Sequence, residues 1–183
     1  STKHIEKNRI NPLGNDRDKT MKKVFLSLFF ILISSSTFAQ SPFMGRCHMD
    51  YCSWIKIKEK KLIKEEGVAR LYEVRTDYGS SYHPIVRLQN GSYPKSYSKR
   101  LKVEWSSEKG SHYIFCYNRL PVFHDGDNPF VLDFTMIAGA AEAAANEYVK
   151  ICYGSEPYSW EKKSFLKKYH LGSPITDEVK IKS

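Results

Sequence analysis

Four cysteines constrain this chain more than any other feature: Cys47, Cys52, Cys116 and Cys152, all of them after residue 40. An even number of cysteines in an oxidising compartment forms staples, and four allow three pairings. The count leaves all three open; the faces of the surrounding segments select one. Cys116 shares a face with His112 and Ile114 in an alternating segment. Cys152 follows Ile151 at the end of the stripe Ile137, Ala141, Ala144, Tyr148 and Ile151, whose spacings of four, three, four and three belong to a core-facing helix. A Cys116–Cys152 bridge would pin that helix to that strand, closing a loop of about 35 residues worth roughly 3–4 kcal/mol in the chain-entropy model. Cys47 and Cys52 would close a small local ring worth about 2 kcal/mol.

The oxidising compartment is itself an expectation drawn from Met21–Gln40, MKKVFLSLFFILISSSTFAQ. Lys22 and Lys23 form a positive start, Val24 to Ile33 is apolar apart from Ser27, and Thr37-Phe38-Ala39 offers small residues at a cleavage site. A membrane-spanning helix needs about 20 apolar residues, and this run stops well short of that. Residues 21–39 therefore read as a cleaved secretory signal, with removal near Ala39 and no transmembrane segment afterwards. No cysteine stands at the cleavage point, so a lipid anchor is not expected. Residues 1–20 are polar and lack hydrophobic periodicity, and read as an extension upstream of a start at Met21. Residues 40–183 are then a single mature domain, periplasmic or secreted.

Charge matters once that segment is set aside. The whole chain carries 29 Lys/Arg and 20 Asp/Glu, net +9. Residues 1–39 hold seven of the bases and three of the acids, which leaves 22 and 17, net +5. That excess suits an acidic protein or an anionic surface, and the compartment argues against nucleic acid.

Strand patterns come first along the mature chain. Trp54 to Ile63 and Val68 to Thr76 alternate around Gly67 and predict a hairpin. Tyr78-Gly79-Ser80-Ser81 reads as a turn, and Tyr82 to Leu88 as a short edge strand because of Pro84. Arg100 to Trp105 alternates most cleanly, and His112 to Tyr117, apolar on both faces, reads as a central strand covered on both sides. Pro121 to Pro129 reads as a loop, with Asp127 or Asn128 capping the main helix and Pro129 in its first turn. Gly154 is the expected C-cap, and a second helix spans Pro157 to His170. Strands first and helices last predict an α+β fold: an antiparallel sheet of four to five strands, two C-terminal helices packed on one face, and disulfide staples.

The candidate sites are few. Cys47, His48 and Cys52 would make a soft ligand set, but export favours the disulfide, so neither a metal nor a cofactor is expected. Tyr78, Tyr82, His83, Tyr93 and Tyr97 cluster in the strand-and-loop half, and tyrosine gives recognition surfaces an apolar body with a polar tip. These five are the expected binding residues. Lys162, Lys163, Lys167 and Lys168 make one side of the last helix basic and suit weak contact with an anionic surface.

Two resemblances bear on function. Asp50-Tyr51-Cys52-Ser53 resembles the nucleophile segment of NlpC/P60 cell-wall cysteine peptidases, and Gly110 to Ile114 resembles that family's histidine strand. The likeness implies Cys52 as nucleophile, His112 as base and peptidoglycan as substrate. The chain departs from the family where Tyr51 separates the acid from the cysteine and where Trp54 replaces a small residue. Cys52-Ser53-Trp54, Phe115-Cys116 and Tyr148 to Cys152 together resemble small four-cysteine exported proteins of Gram-negative bacteria, a likeness that brings no activity with it. The leading expectation is a non-catalytic periplasmic binding or inhibitory protein, such as an immunity protein or an inhibitor of an envelope enzyme, with a protein partner. The alternatives are the Cys52/His112 peptidase and a structural, envelope-associated protein.

Overall fold

Two long strands carry the architecture. β2 (Tyr51–Glu66) and β3 (Ala69–Tyr82) pair antiparallel along their length. They turn at Gly67, whose φ of 58° lies in the left-handed region that glycine tolerates. The computed structural model describes residues 40–84, 92–106, 110–126 and 128–175. The expected extension 1–20, the signal 21–39, residues 85–88 of the expected edge strand and Asp127 lie outside them.

β1 (Phe43–His48) joins β2 through Met49 and Asp50, which places Cys47 directly opposite Cys52. β4 (Glu104–Trp105) and β5 (Gly110–Cys116) both pair with β3, at opposite ends of it. β6 (Val122–Asp125) and β7 (Asn128–Val131) complete the order β1-β2-β3-β5-β6-β7, with β4 beside β3. All of these pairs are antiparallel.

The fold is α+β, and the sheet of seven strands among the described residues is larger than the four to five expected. Residues 43–48, which carry no strand pattern of their own, form β1. Pro121–Pro129, read as a loop, begins a hairpin. Gly126 opens the turn directly after β6, at φ 64° in the left-handed region. Pro129 sits in the outermost strand, where a missing N–H costs the ladder least. The main helix therefore starts later than expected.

α1 (Glu142–Tyr153) follows a short 3-10 turn at Gly139–Ala141. Ala141, Ala145, Tyr148, Val149 and Ile151 pack against Ile55, Ile57, Val74, Ile114 and Phe123 of the sheet. Gly154, at φ 64°, caps the helix by donating to the Lys150 carbonyl. The expected second helix is broken at Lys162, which is extended, leaving a 3-10 turn at Ser159–Glu161 and α2 at Lys163–Tyr169. Tyr153 of α1 stacks on Phe165 and Tyr169 of α2. Among the described residues no helix is long and apolar enough to cross a membrane.

Two disulfides, Cys47–Cys52 and Cys116–Cys152, staple this arrangement. The second joins β5 to the last turn of α1. Lys60 adds to that junction by donating from Nζ to the Ile151 carbonyl at 2.6 Å, where the negative end of the helix dipole favours a cation.

The opposite face of the sheet is divided. Over β2, a smaller core joins Met44, Cys52 and Trp54 to Tyr97, Leu101, Val103 and Trp105 from the segment that leads into β4. Only Glu104–Trp105 of the expected strand 100–105 enters the ladder, although its apolar side still faces inward. This packing also explains why 78–81 is strand instead of turn. A Cβ on Gly79 would stand 2.6 Å from Val103 Cγ1 and 2.8 Å from Trp105 Cε3, so glycine is needed for close approach. Over β5 the described residues leave the same face open, where cover on both sides was expected. Leu71, Tyr113, Phe115, Val122 and Pro129 line a groove of about 730 Å³ there.

Asn146 ties α1 to both its neighbours. Its Nδ2 donates to the Gly45 carbonyl at 2.7 Å, and its Oδ1 accepts from the Tyr158 amide at 2.7 Å and from Trp160 Nε1 at 2.8 Å. Replacing Asn146 by Ala should cost about 3 kcal/mol, at about 1 kcal/mol for each bond lost. A guanidinium titration should show a lower midpoint with the slope unchanged; an unchanged midpoint would exclude this role.

Candidate functional site

Cys52 and His112 lie on different parts of the sheet. Cys52 is opposite Ser81 on β3 and His112 is opposite Val74, seven residues away, a separation of about 23 Å at strand rise. Cys52 is fully buried and bonded to Cys47, so it offers no thiolate. The structure forms no cysteine–histidine pair from these two residues.

His112 instead belongs to a buried polar cluster beneath α1. Glu147 is only 1% exposed and His112 4%. Glu147 Oε1 accepts from Thr76 Oγ1 at 2.9 Å, and Oε2 accepts from the Tyr78 hydroxyl at 3.0 Å. His112 Nε2 lies 2.8 Å from Oε1, but off the axis of a ring hydrogen bond, so this nitrogen has no well-directed partner. Phe123 packs on the His112 ring with centroids 4.8 Å apart. Strand alternation puts Thr76 and Tyr78 on the same face of β3, with His112 beside them on β5. Tyr78, expected as a binding tyrosine, turns its hydroxyl inward while its ring keeps the residue 41% exposed. Burial first, then the Glu147 carboxylate, pushes its phenol far above the ordinary range. A buried carboxylate is tolerated only when its oxygens are satisfied. The cluster therefore joins α1 to β3 and β5, and of its four polar members only Tyr78 reaches solvent. The sequence does carry a signal for Glu147: it stands three residues after Ala144 and four before Ile151, on the apolar stripe itself.

The other expected binding residues gather at the end of the sheet that carries the Cys47–Cys52 hairpin. Tyr82 is 58% exposed and packs beside Tyr51, which is 56% exposed, with ring centroids 5.1 Å apart. Tyr51 is not among the tyrosines singled out from sequence. Its signal was adjacency to Cys52 at the start of a strand. Ser81 Oγ accepts from Trp54 Nε1 at 2.7 Å and sits 2.7 Å from His83 Nε2. His83 donates its amide to the Asp50 carbonyl, and the Tyr93 hydroxyl donates to the Met49 carbonyl. His83 and Tyr93 thus hold the β1–β2 turn in place behind the exposed pair. Tyr97 packs between Trp54 and Trp105, at 5.8 and 6.5 Å, and belongs to the smaller core.

A cavity of about 560 Å³ opens at this rim, lined by Tyr51, Ser80, Ser81, Tyr82, His83, Arg100, Leu101, Lys102 and Glu104. The four lysines Lys162, Lys163, Lys167 and Lys168 are exposed at and before α2. Among the described residues no group of three or more His, Cys, Asp or Glu side chains is placed to hold a metal ion. No protein-family model, curated protein or solved structure matches the chain.

Four phenols, buried wholly or in part, shape the response to alkali. Burial is the largest cause in raising Tyr78, Tyr148, Tyr153 and Tyr158, the last pushed up to about 12 with help from the Glu142 carboxylate. The unfolded chain releases these protons near pH 10 while the folded chain keeps them, so stability is full below about pH 10 and falls as pH rises past it. Melting temperatures measured from pH 8 to pH 11 should stay level and then drop steeply. Tyr78→Phe should soften that drop, and a drop as steep as that of the parent chain would remove Tyr78 from this set.

Proposed function

We propose that residues 40–183 form an exported, non-catalytic binding protein of the immunity-protein or inhibitor kind, which presents Tyr51 and Tyr82 to a protein partner in the envelope. The observation that carries this reading is the exposed tyrosine pair on a rigid support. Each residue is more than half exposed, yet the backbone beneath is fixed by the Cys47–Cys52 bridge and by the bonds from His83 and Tyr93. Tyrosine is enriched at protein interfaces because it contributes large area with few rotatable bonds. A preformed surface lowers the ordering cost of association. Export is supported by the apolar segment at 24–33 behind Lys22 and Lys23. The two disulfides suit an oxidising compartment.

A photo-cross-linking residue at position 82 tests this in a periplasmic extract. Position 68 serves as the control, because Val68 is exposed at the far end of the β2–β3 hairpin. Position 82 should give one discrete protein adduct that position 68 does not. The adduct should disappear when Tyr51→Ala is added. Identical adducts from both positions, or no adduct from position 82, would contradict the proposal.

A further inference from the structure

We infer that the rim takes an acidic protein segment, held by the basic stretch 95–102 that borders it; this rests on the binding reading above and adds the chemistry of the partner. Residues 92–103 contain Lys95, Lys99, Arg100 and Lys102 and no acidic residue. All four cations are exposed. The same stretch is fastened from beneath by Tyr97, Leu101 and Val103 on the smaller core, so the fold holds it in place without using its charges. Several bases elsewhere are engaged: Lys58 with Asp77, Lys64 with Glu66, Arg70 with Glu65, Arg75 with Glu59, Lys150 with Glu156. Among the described residues, none of the four cations of this stretch has an ion-pair partner.

Two of them, Arg100 and Lys102, line the same cavity as Tyr51 and Tyr82. Aromatic area and positive charge thus converge on one concavity. Arginine and tyrosine are the residue types that dominate binding energy at protein interfaces. Glu104 in the same lining separates the possible polyanions. The phosphate or sulfate groups that line the outside of a nucleic acid or sulfated glycan carry no donor, and Glu104 repels them. A protein segment brings carboxylates for Arg100 and Lys102 together with N–H groups that Glu104 can accept. Charge complementarity of this kind acts mainly on association rate and specificity.

The test is a heteronuclear NMR titration of the full, oxidised chain with the peptide (Asp-Glu)5. Single-stranded DNA of ten nucleotides and small anionic lipid vesicles are run as comparators. Shift changes should map to Tyr51, Tyr82 and residues 95–102. Affinity should fall about tenfold between about 50 and about 300 mM salt. The triple variant Lys99→Glu, Arg100→Glu, Lys102→Glu should lower it at least about tenfold with an unchanged circular dichroism spectrum, and Lys163→Glu with Lys167→Glu should leave it unchanged. Shifts confined to α2, tighter binding of the DNA or the vesicles, or indifference to the triple variant would each overturn the inference. An adduct at position 82 that survives the triple variant would overturn it too, while leaving the binding proposal standing.

Discussion

The Cys116–Cys152 bridge is the constraint on which the rest of the structure depends. It fixes the last turn of α1 to the end of β5, and Lys60 holds the adjacent carbonyl of Ile151 from β2. With one end of the helix fixed, its rise of about 1.5 Å per residue sets where every other side chain meets the sheet. Tyr148 and Val149 fall on the apolar interior. Glu147 falls on Thr76, Tyr78 and His112, and Asn146 on Gly45. The two adjacent polar residues act as a register check. A helix shifted by one residue would bury a carboxylate and an amide with no partners, which costs more than any apolar contact it could gain.

Because α1 closes one face, the rest of the sheet is free to specialise. The opposite face over β2 is sealed by residues 97–105 on Trp54, and this packing leaves the cations of the same stretch pointing outward. Within this single segment Tyr97, Leu101 and Val103 hold the chain down, and Lys99, Arg100 and Lys102 are the cations that the proposed partner would meet. The exposed pair Tyr51 and Tyr82 stands directly beside it, on strands that a disulfide and two hydrogen bonds keep from fraying.

Much of the fold was legible in the sequence because its signals are local. The Cys116–Cys152 pairing follows from the faces those residues share and leaves Cys47 with Cys52, the α1 stripe follows from helical spacing, and Gly67 and Gly154 mark a turn and a cap. What the sequence concealed depends on partners far along the chain. Gly79-Ser80-Ser81 has the composition of a turn and becomes strand because β2 and Trp105 arrive on either side. Phe123 and Phe130 lie in runs too short to declare strands without each other. Glu147 looks like an error on an apolar stripe until Thr76 reaches it from 71 residues away. Tyr82, His83 and Tyr93 were readable as a group. Composition could not divide them into a presented ring and the residues that support it, and it could not show that Tyr78 and Tyr97 belong to the two interiors. Arg100 and Lys102 of the basic stretch were hidden by Leu101 and Val103, which give residues 100–105 the alternation of a strand.

Peptide mapping of the unreduced protein by mass spectrometry tests this account most directly. It predicts two cross-linked species and no others, Cys47 with Cys52 and Cys116 with Cys152, with no residue alkylated before reduction. A free Cys52 thiol, or a bridge from Cys52 to Cys116 or Cys152, would contradict it, because α1 would lose its anchor and the exposed rim its fixed base.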